Sequence, residues 1–85
     1  MTKKDKLIAR FLTIPKDFTF EELVSFFKHL GFEMNNKGKT SGSRIEFTNE
    51  NMNLSYFAHK PHPKNVVKAY VLRQIKDFLT ENEIL

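Results

Sequence analysis

The chain has 85 residues, a formal net charge of +4 and an isoelectric point near 9.5. A chain of this length forms one small domain that buries roughly 60–65% of its unfolded surface. It has no cysteine, which excludes disulfides and thiolate metal sites, and its nine phenylalanines and two tyrosines supply the apolar area of a core. The positive charge favours an anionic partner, although a solvated basic surface explains the same composition.

Membrane and export signals are absent from the sequence. No apolar run approaches the roughly 20 residues of a membrane-spanning helix, and the initial MTKKDKL lacks the apolar region of a signal peptide. The lack of cysteine also suits a reducing compartment. We therefore expect a cytoplasmic protein that is not attached to a membrane.

The first segment has the spacing of a short amphipathic helix between Lys3 and Leu12. Its apolar residues are Leu7, Ile8, Phe11 and Leu12, which fall on one helical face. Pro15 ends the helix because the residue before a proline avoids helical backbone angles. We interpret residues 1–15 as an N-terminal helical appendage, or a lid at the edge of the core, and residues 16–85 as the domain itself.

A second helix is predicted over residues 20–30. Thr19 and Glu22 have the spacing of a capping box, in which each side chain bonds the backbone N–H of the other residue. Apolar residues then recur with helical spacing, and Gly31 fits the position after the last turn.

Three strands are predicted in the middle of the chain. Phe32–Asn35 is a brief edge strand, Asn36–Gly42 is a loop, and Ser43–Thr48 alternates with Ile45 and Phe47 on one face. The third strand, Leu54–His59, has two possible inward faces. They are Leu54, Tyr56 and Ala58, or Ser55, Phe57 and His59.

A last helix is predicted from the apolar spacing between Val67 and Leu79, with Asn65 as its cap or with a start a few residues later. The element order is then α–α–β–β–β–α. Amphipathic helices need an apolar surface to bury against, and a three-stranded antiparallel sheet provides one. We therefore expect an α+β fold with the helices on one face of the sheet.

Two short motifs point to ligands that we do not expect. Gly38-Lys39-Thr40 is similar to the end of a phosphate-binding P-loop, but Glu33 stands where that motif needs its first glycine, and a strand follows instead of a helix. His59 and His62 have Pro61 between them and no obvious third ligand. We expect no nucleotide, metal or other cofactor.

Basic and imidazole side chains form the remaining candidate site. They are Lys37 and Lys39 in the loop, Arg44 on the second strand, and His59, Lys60, His62 and Lys64 after or at the end of the third. Imidazole moves protons near neutral pH, and Lys and Arg bind phosphate. RNA binding needs these groups, and so does metal-free cleavage in which a 2′-OH attacks its own phosphate. Alternatively, His59 only faces solvent and His62 only holds its loop.

Several motifs in order resemble the HicA family of bacterial toxins, and in particular a branch whose loop reads NKGKTSGSR. They are Leu30-Gly31-Phe32, Gly42-Ser43-x-x-x-Phe47, Pro61-His62 and Leu72-Arg73-x-Ile75, and together they span roughly residues 20–80. The resemblance implies a fold like that of double-stranded-RNA-binding domains. It also implies a ribosome-independent, mRNA-cleaving toxin that is neutralised by an antitoxin of the HicB type.

The chain departs from the family at one position. Family members usually have their catalytic histidine directly after the Gly-Ser pair, where this chain has Arg44. Arginine does not release its proton near neutral pH and cannot act as a general base, but it can bind phosphate and stabilise transition-state charge. Proton transfer would then fall to His62, with His59 as the second candidate.

The leading hypothesis is an RNA-binding toxin of a toxin–antitoxin system that cleaves mRNA. Its RNA contacts would be Lys37, Lys39, Arg44, Lys60 and Lys64. The alternatives are a non-catalytic nucleic-acid-binding module on the same fold and a protein-interaction domain that binds an acidic partner. Salt separates them, because counterion release weakens RNA binding steeply as salt rises.

Overall fold

The structure is a computed structural model, and it describes residues 2–35, 44–61 and 64–85. Within these ranges the chain forms three helices and three strands. They are α1 (Lys3–Leu12), α2 (Phe20–His29), β1 (Glu33–Asn35), β2 (Arg44–Asn49), β3 (Leu54–His59) and α3 (Ala69–Glu81). The predicted element order is confirmed. No helix in the described part of the chain is long and apolar enough to cross a membrane.

The three strands form one antiparallel sheet in the order β1-β2-β3. β1 is a short edge strand in which Met34 pairs with Phe47 of β2. On the other side, β2 pairs with β3 along its whole length, from Arg44 opposite His59 to Asn49 opposite Leu54. The sheet is therefore a meander with β2 in its centre.

The helices cover one face of this sheet, and the core lies between the two layers. Phe27 of α2 stacks on Phe47 of β2 with a distance of 4.2 Å between ring centroids. Tyr56 of β3 contacts Phe78 of α3 at 5.0 Å. The predicted α+β fold, with its likeness to double-stranded-RNA-binding domains, is confirmed.

Helix α1 packs on α2. Thr2 caps it by accepting a hydrogen bond from the Asp5 N–H. Phe11 is completely buried and stacks on Phe26 with 4.0 Å between ring centroids. The division of the chain at residue 15 stays a prediction, but the aromatic side chain of α1 belongs to the common core.

Local signals set both ends of α2. The capping box is present, since Thr19 Oγ1 accepts from the Glu22 N–H and Glu22 Oε1 accepts from the Thr19 N–H. At the other end Gly31 has a φ of +92°, which other residues rarely adopt. The predicted helix and its terminal glycine are confirmed.

The start of α3 is the later of the two that the sequence allowed, because Lys68 and not Asn65 is the N-cap residue. Asn65 is used elsewhere. Its side-chain amide donates to the Glu21 carboxylate, and its backbone carbonyl accepts from the Phe20 N–H. Val67 N–H donates to the carbonyl of Phe18 at 2.7 Å. This pairing with the segment before α2 keeps residues 65–67 extended, so the helix starts later.

Candidate nucleic-acid interface

The outer face of the sheet, away from the helices, carries the polar side chains of β2 and β3. The register places Ile45 opposite Ala58 and Phe47 opposite Tyr56, and these four residues face the helices. The sequence left the inward face of β3 undecided. The structure selects Leu54, Tyr56 and Ala58, and so directs Ser55, Phe57 and His59 outward.

Arg44 and His59 are direct cross-strand neighbours on this outer face. Both side chains are exposed. Directly opposite residues of antiparallel strands have Cβ atoms about 4.5–5.5 Å apart, so one bound group can touch both side chains. Two of the three catalytic candidates of the sequence analysis are thus brought together.

Phe57 lies beside this pair on the same face, and it is not among the functional residues predicted from the sequence. The Cζ atom of Arg44 lies 4.8 Å from the centroid of its ring. The two residues are diagonal neighbours, because Phe57 pairs with Glu46 two residues along β2. A guanidinium over an aromatic face is attracted by the ring quadrupole. Phe57 therefore restricts where the Arg44 side chain lies. We call Arg44, Phe57 and His59 the outer-face cluster.

The lysines predicted to bind RNA are not all part of this cluster. The ammonium group of Lys60 lies 5.9 Å from the ring centroid of Phe20 on α2, which directs it to the helix side of the sheet. Lys64 is exposed in the segment that leads to α3. Lys37, Lys39 and His62 lie outside the described residues.

A groove of about 450 Å³ runs beside the exposed edge of the sheet, between the end of β3 and the start of α3. Its lining is mostly apolar and includes Ala58, Val66 and Tyr70, with Lys64 and Lys68 also contributing. His59 lines this groove as well, so it belongs both to the groove and to the outer-face cluster.

Metal ligands do not cluster in the part of the chain that the structure describes. There, no group of three or more histidine, cysteine, aspartate or glutamate residues could hold a metal ion. The chemistry of the outer-face cluster is that of a fixed cation, an imidazole and an aromatic ring. Such a set binds phosphate, transfers a proton and stacks against a planar group.

Comparison with known protein families identifies a family that matches most of the chain. A family model described as HicA toxin of bacterial toxin–antitoxin matches residues 20–82. The match runs from the first residue of α2 to the end of α3, and α1 lies outside it. Searches of curated proteins and of solved structures find no match to the chain.

Proposed function

The chain belongs to the HicA family of toxins of bacterial toxin–antitoxin systems, and from this premise we propose that it is a cytoplasmic, metal-independent endoribonuclease that cleaves mRNA. An antitoxin of the HicB type would neutralise it. The observation that carries this proposal is the cross-strand pair of Arg44 and His59, exposed on one face of the sheet.

The reaction requires two proton transfers and one centre of positive charge. The 2′-oxygen of a ribose attacks the adjacent phosphorus, and the bond from phosphorus to the 5′-oxygen breaks. A neutral imidazole accepts the proton of the 2′-OH, and an imidazolium gives a proton to the departing 5′-oxygen. The products are a 2′,3′-cyclic phosphate and a 5′-hydroxyl, so the step consumes no metal, oxidant or other reactant.

Arg44 is the charge-stabilising group in this scheme. It keeps its proton at every pH at which the enzyme works, so it cannot be the base. Its N–H groups bind two phosphate oxygens at once and stabilise the additional negative charge of the transition state. His59 is its nearest imidazole among the described residues. His62 is the second proton-transfer group of the proposal, since one histidine serves as base and the other as acid.

The lysines supply affinity along the RNA backbone. Lys60 and Lys64 are exposed. Lys37, Lys39 and Lys64 would contact phosphates near the cleaved bond, and Lys60, which is directed to the helix side of the sheet, would contact the RNA farther along its backbone. We expect RNA affinity to fall steeply between low and moderate salt, because each neutralised phosphate releases a counterion.

The test is cleavage of a long, mostly unstructured RNA in EDTA by the purified protein and its variants. We expect Arg44→Ala, His59→Ala and His62→Ala each to abolish or strongly reduce cleavage. His29→Ala is the matched control, because His29 is exposed in the last turn of α2 and belongs to neither candidate group. Mass spectrometry of the products should show 2′,3′-cyclic phosphate ends. Cleavage that survives all three variants would contradict the proposed site.

A non-catalytic RNA-binding protein is the second candidate, and the arginine at position 44 favours it. In this case the same RNA would bind with strong salt dependence but would not be cleaved by the wild-type protein. A third candidate, a domain that binds an acidic protein partner, requires a partner complex together with no measurable RNA affinity.

A further inference from the structure

Phe57 is the exposed phenylalanine of this chain. The nine phenylalanines all lie in described residues, and 55% of the Phe57 residue surface is accessible to solvent. Seven of the other eight are buried in the core, and Phe78 is half-buried against it. Exposure of more than half of an aromatic residue on a sheet gives up much of the free energy that its burial would contribute. Such a ring is available for contact with another molecule.

The guanidinium group of Arg44 lies over the exposed Phe57 ring, so the ring and a cation share one surface. A guanidinium is planar, with N–H donors around its edge and stacking surfaces above and below its plane. When it stands over an aromatic ring, its edge still reaches phosphate oxygens. Phe57 and Arg44 together therefore offer a stacking surface directly beside a phosphate-binding group.

We propose that Phe57, with the Arg44 guanidinium above it, is a stacking platform for one unpaired nucleobase of the bound RNA. The inference rests on the proposed function. The stacked base belongs to a nucleotide next to the phosphate held by Arg44, so the platform sets which phosphate lies opposite His59. Because a base in a duplex is already stacked on both sides, the platform selects single-stranded RNA.

A nucleobase fits this platform better than an apolar segment of a protein partner. On its own face the ring is flanked by a permanent cation and an imidazole, with the buried Glu46 directly opposite it on β2, and the chain carries a net charge of +4. A nucleotide presents a planar ring and an anionic phosphate at a fixed covalent separation, which matches an aromatic ring next to an arginine. Base stacking on aromatic side chains tolerates all four bases, so we expect weak sequence preference from this contact alone.

The test separates base contacts from phosphate contacts by using two short oligomers with methylated 2′-hydroxyls, which cannot be cleaved. One carries a base at every position, and the other is an abasic backbone of the same length. We expect Phe57→Leu to lower affinity for the base-bearing oligomer by about tenfold and to leave affinity for the abasic oligomer unchanged. Phe57→Trp should retain the affinity for both. Arg44→Ala should weaken both, because it removes a phosphate contact.

Tyr70→Leu is the comparison variant. Tyr70 is an equally exposed aromatic residue, 58% accessible, but it lies on α3, where it lines the groove and does not belong to the outer-face cluster. We expect its replacement to change neither affinity. Thermal unfolding of each variant confirms that the fold is intact.

Three results would overturn the stacking platform. The first is that Phe57→Leu lowers the affinity for both oligomers equally. The second is that it lowers the affinity for neither oligomer, which would indicate that the ring contacts a protein partner instead. The third is that Tyr70→Leu, and not Phe57→Leu, lowers the affinity for the base-bearing oligomer alone, which would indicate that the base binds in the groove. Because the oligomers are not cleaved, this result is independent of whether the wild-type protein is a nuclease. Base-dependent binding without cleavage of natural RNA would retain the platform and reject the catalytic proposal.

Discussion

Phe11 of α1 and Phe26 of α2 are stacked with 4.0 Å between their ring centroids, and both are completely buried. Phe18 makes an edge contact with Phe11 at 5.8 Å. The helix that lies outside the family match thus contributes an aromatic side chain to the core on which the matched region depends. This relationship has a direct consequence for stability.

Replacement of Phe11 should destabilise the whole protein. We expect Phe11→Ala to lower the free energy of unfolding by about 3–5 kcal/mol, because it removes a buried ring and leaves a cavity between α1 and α2. Urea denaturation measures the loss, and Phe11→Leu provides a milder change if the alanine variant does not fold. Leu12→Ala is the control, since Leu12 is 41% exposed and its truncation should have a much smaller effect. Equal, small losses in both variants would indicate that α1 is an appendage, as in the sequence interpretation, and does not stabilise the core.

Glu22 couples α1 to the start of α2 and should make stability depend on acid pH. Its carboxylate accepts hydrogen bonds from the Arg10 guanidinium at 2.8 Å and from the Thr19 N–H at 3.0 Å. The pKa of Glu22 is lowered from 4.5 to about 2. The hydrogen bond from Arg10 is the largest cause, and the hydrogen bond from the Thr19 backbone adds to it. A carboxyl whose folded-state pKa is depressed stabilises the fold above its unfolded pKa. That contribution is lost as pH falls from about 4.5 through 2.

Two variants test this coupling. Unfolding free energies measured from pH 7 down to pH 2 should fall less steeply below about pH 4.5 in Glu22→Gln than in the wild-type protein. Arg10→Gln should be less stable than the wild-type protein at neutral pH, and the difference should narrow as Glu22 is protonated. Parallel pH profiles for all three proteins would show that the ion pair does not contribute to stability in solution.

Gly31 should not tolerate a side chain. Its φ of +92° is strained for other residues, and a Cβ there would lie 3.1 Å from Nδ2 of the buried Asn49. Asn49 cannot move freely, because its side chain donates to the Leu30 carbonyl and accepts from the Met52 N–H. We expect Gly31→Ala to cost about 1–3 kcal/mol of unfolding free energy.

A double-mutant cycle with Asn49→Ala separates the two causes of this loss. If crowding against Asn49 contributes, Gly31→Ala costs less in the Asn49→Ala background than in the wild-type background. Strict additivity would show that the backbone angle alone is responsible.

The sequence predicted best those features that depend on neighbours along the chain. The bounds of α1, the Thr19–Glu22 capping box and the terminal Gly31 agree with the structure, because each is set by contacts within a few residues. The bounds of β3 agree as well. The sequence left the start of α3 open between Asn65 and a few residues later, since the hydrogen bonds of residues 65–67 go to a segment more than 40 residues away. A pattern along the chain does not contain that pairing.

The candidate site could be predicted only in part, because its geometry depends on the pairing between strands. The sequence predicts Arg44 on the second strand and His59 at the end of the third strand of an antiparallel sheet, but only the register makes them direct neighbours. Phe57 was missed because both alternations of β3 include aromatic and apolar residues, so the pattern alone does not tell a core ring from an exposed one. Its selection as the outward ring follows from the pairing of Tyr56 with Phe47.

Replacement of Arg44 by histidine should distinguish a modified nuclease from an RNA-binding relative. The resemblance to HicA toxins implies a catalytic histidine at this position, and a histidine there would restore a group that accepts a proton near neutral pH. We expect Arg44→His to raise the cleavage rate by at least about tenfold, which is less than the roughly 10²–10⁴-fold that general acid–base catalysis contributes, because the charge of Arg44 is lost. The rate of this variant should increase with pH through about 6.5, the ordinary pKa of histidine.

Arg44→Lys is the control, because it keeps the charge and cannot supply this base. Affinity for an uncleavable RNA should fall in Arg44→His, since the phosphate loses a permanent cation. A faster reaction in spite of weaker binding would show that position 44 still lies beside the reacting phosphate. Slower cleavage in Arg44→His than in the wild-type protein would instead show that the lost charge of Arg44 contributes more to cleavage than a base at this position restores.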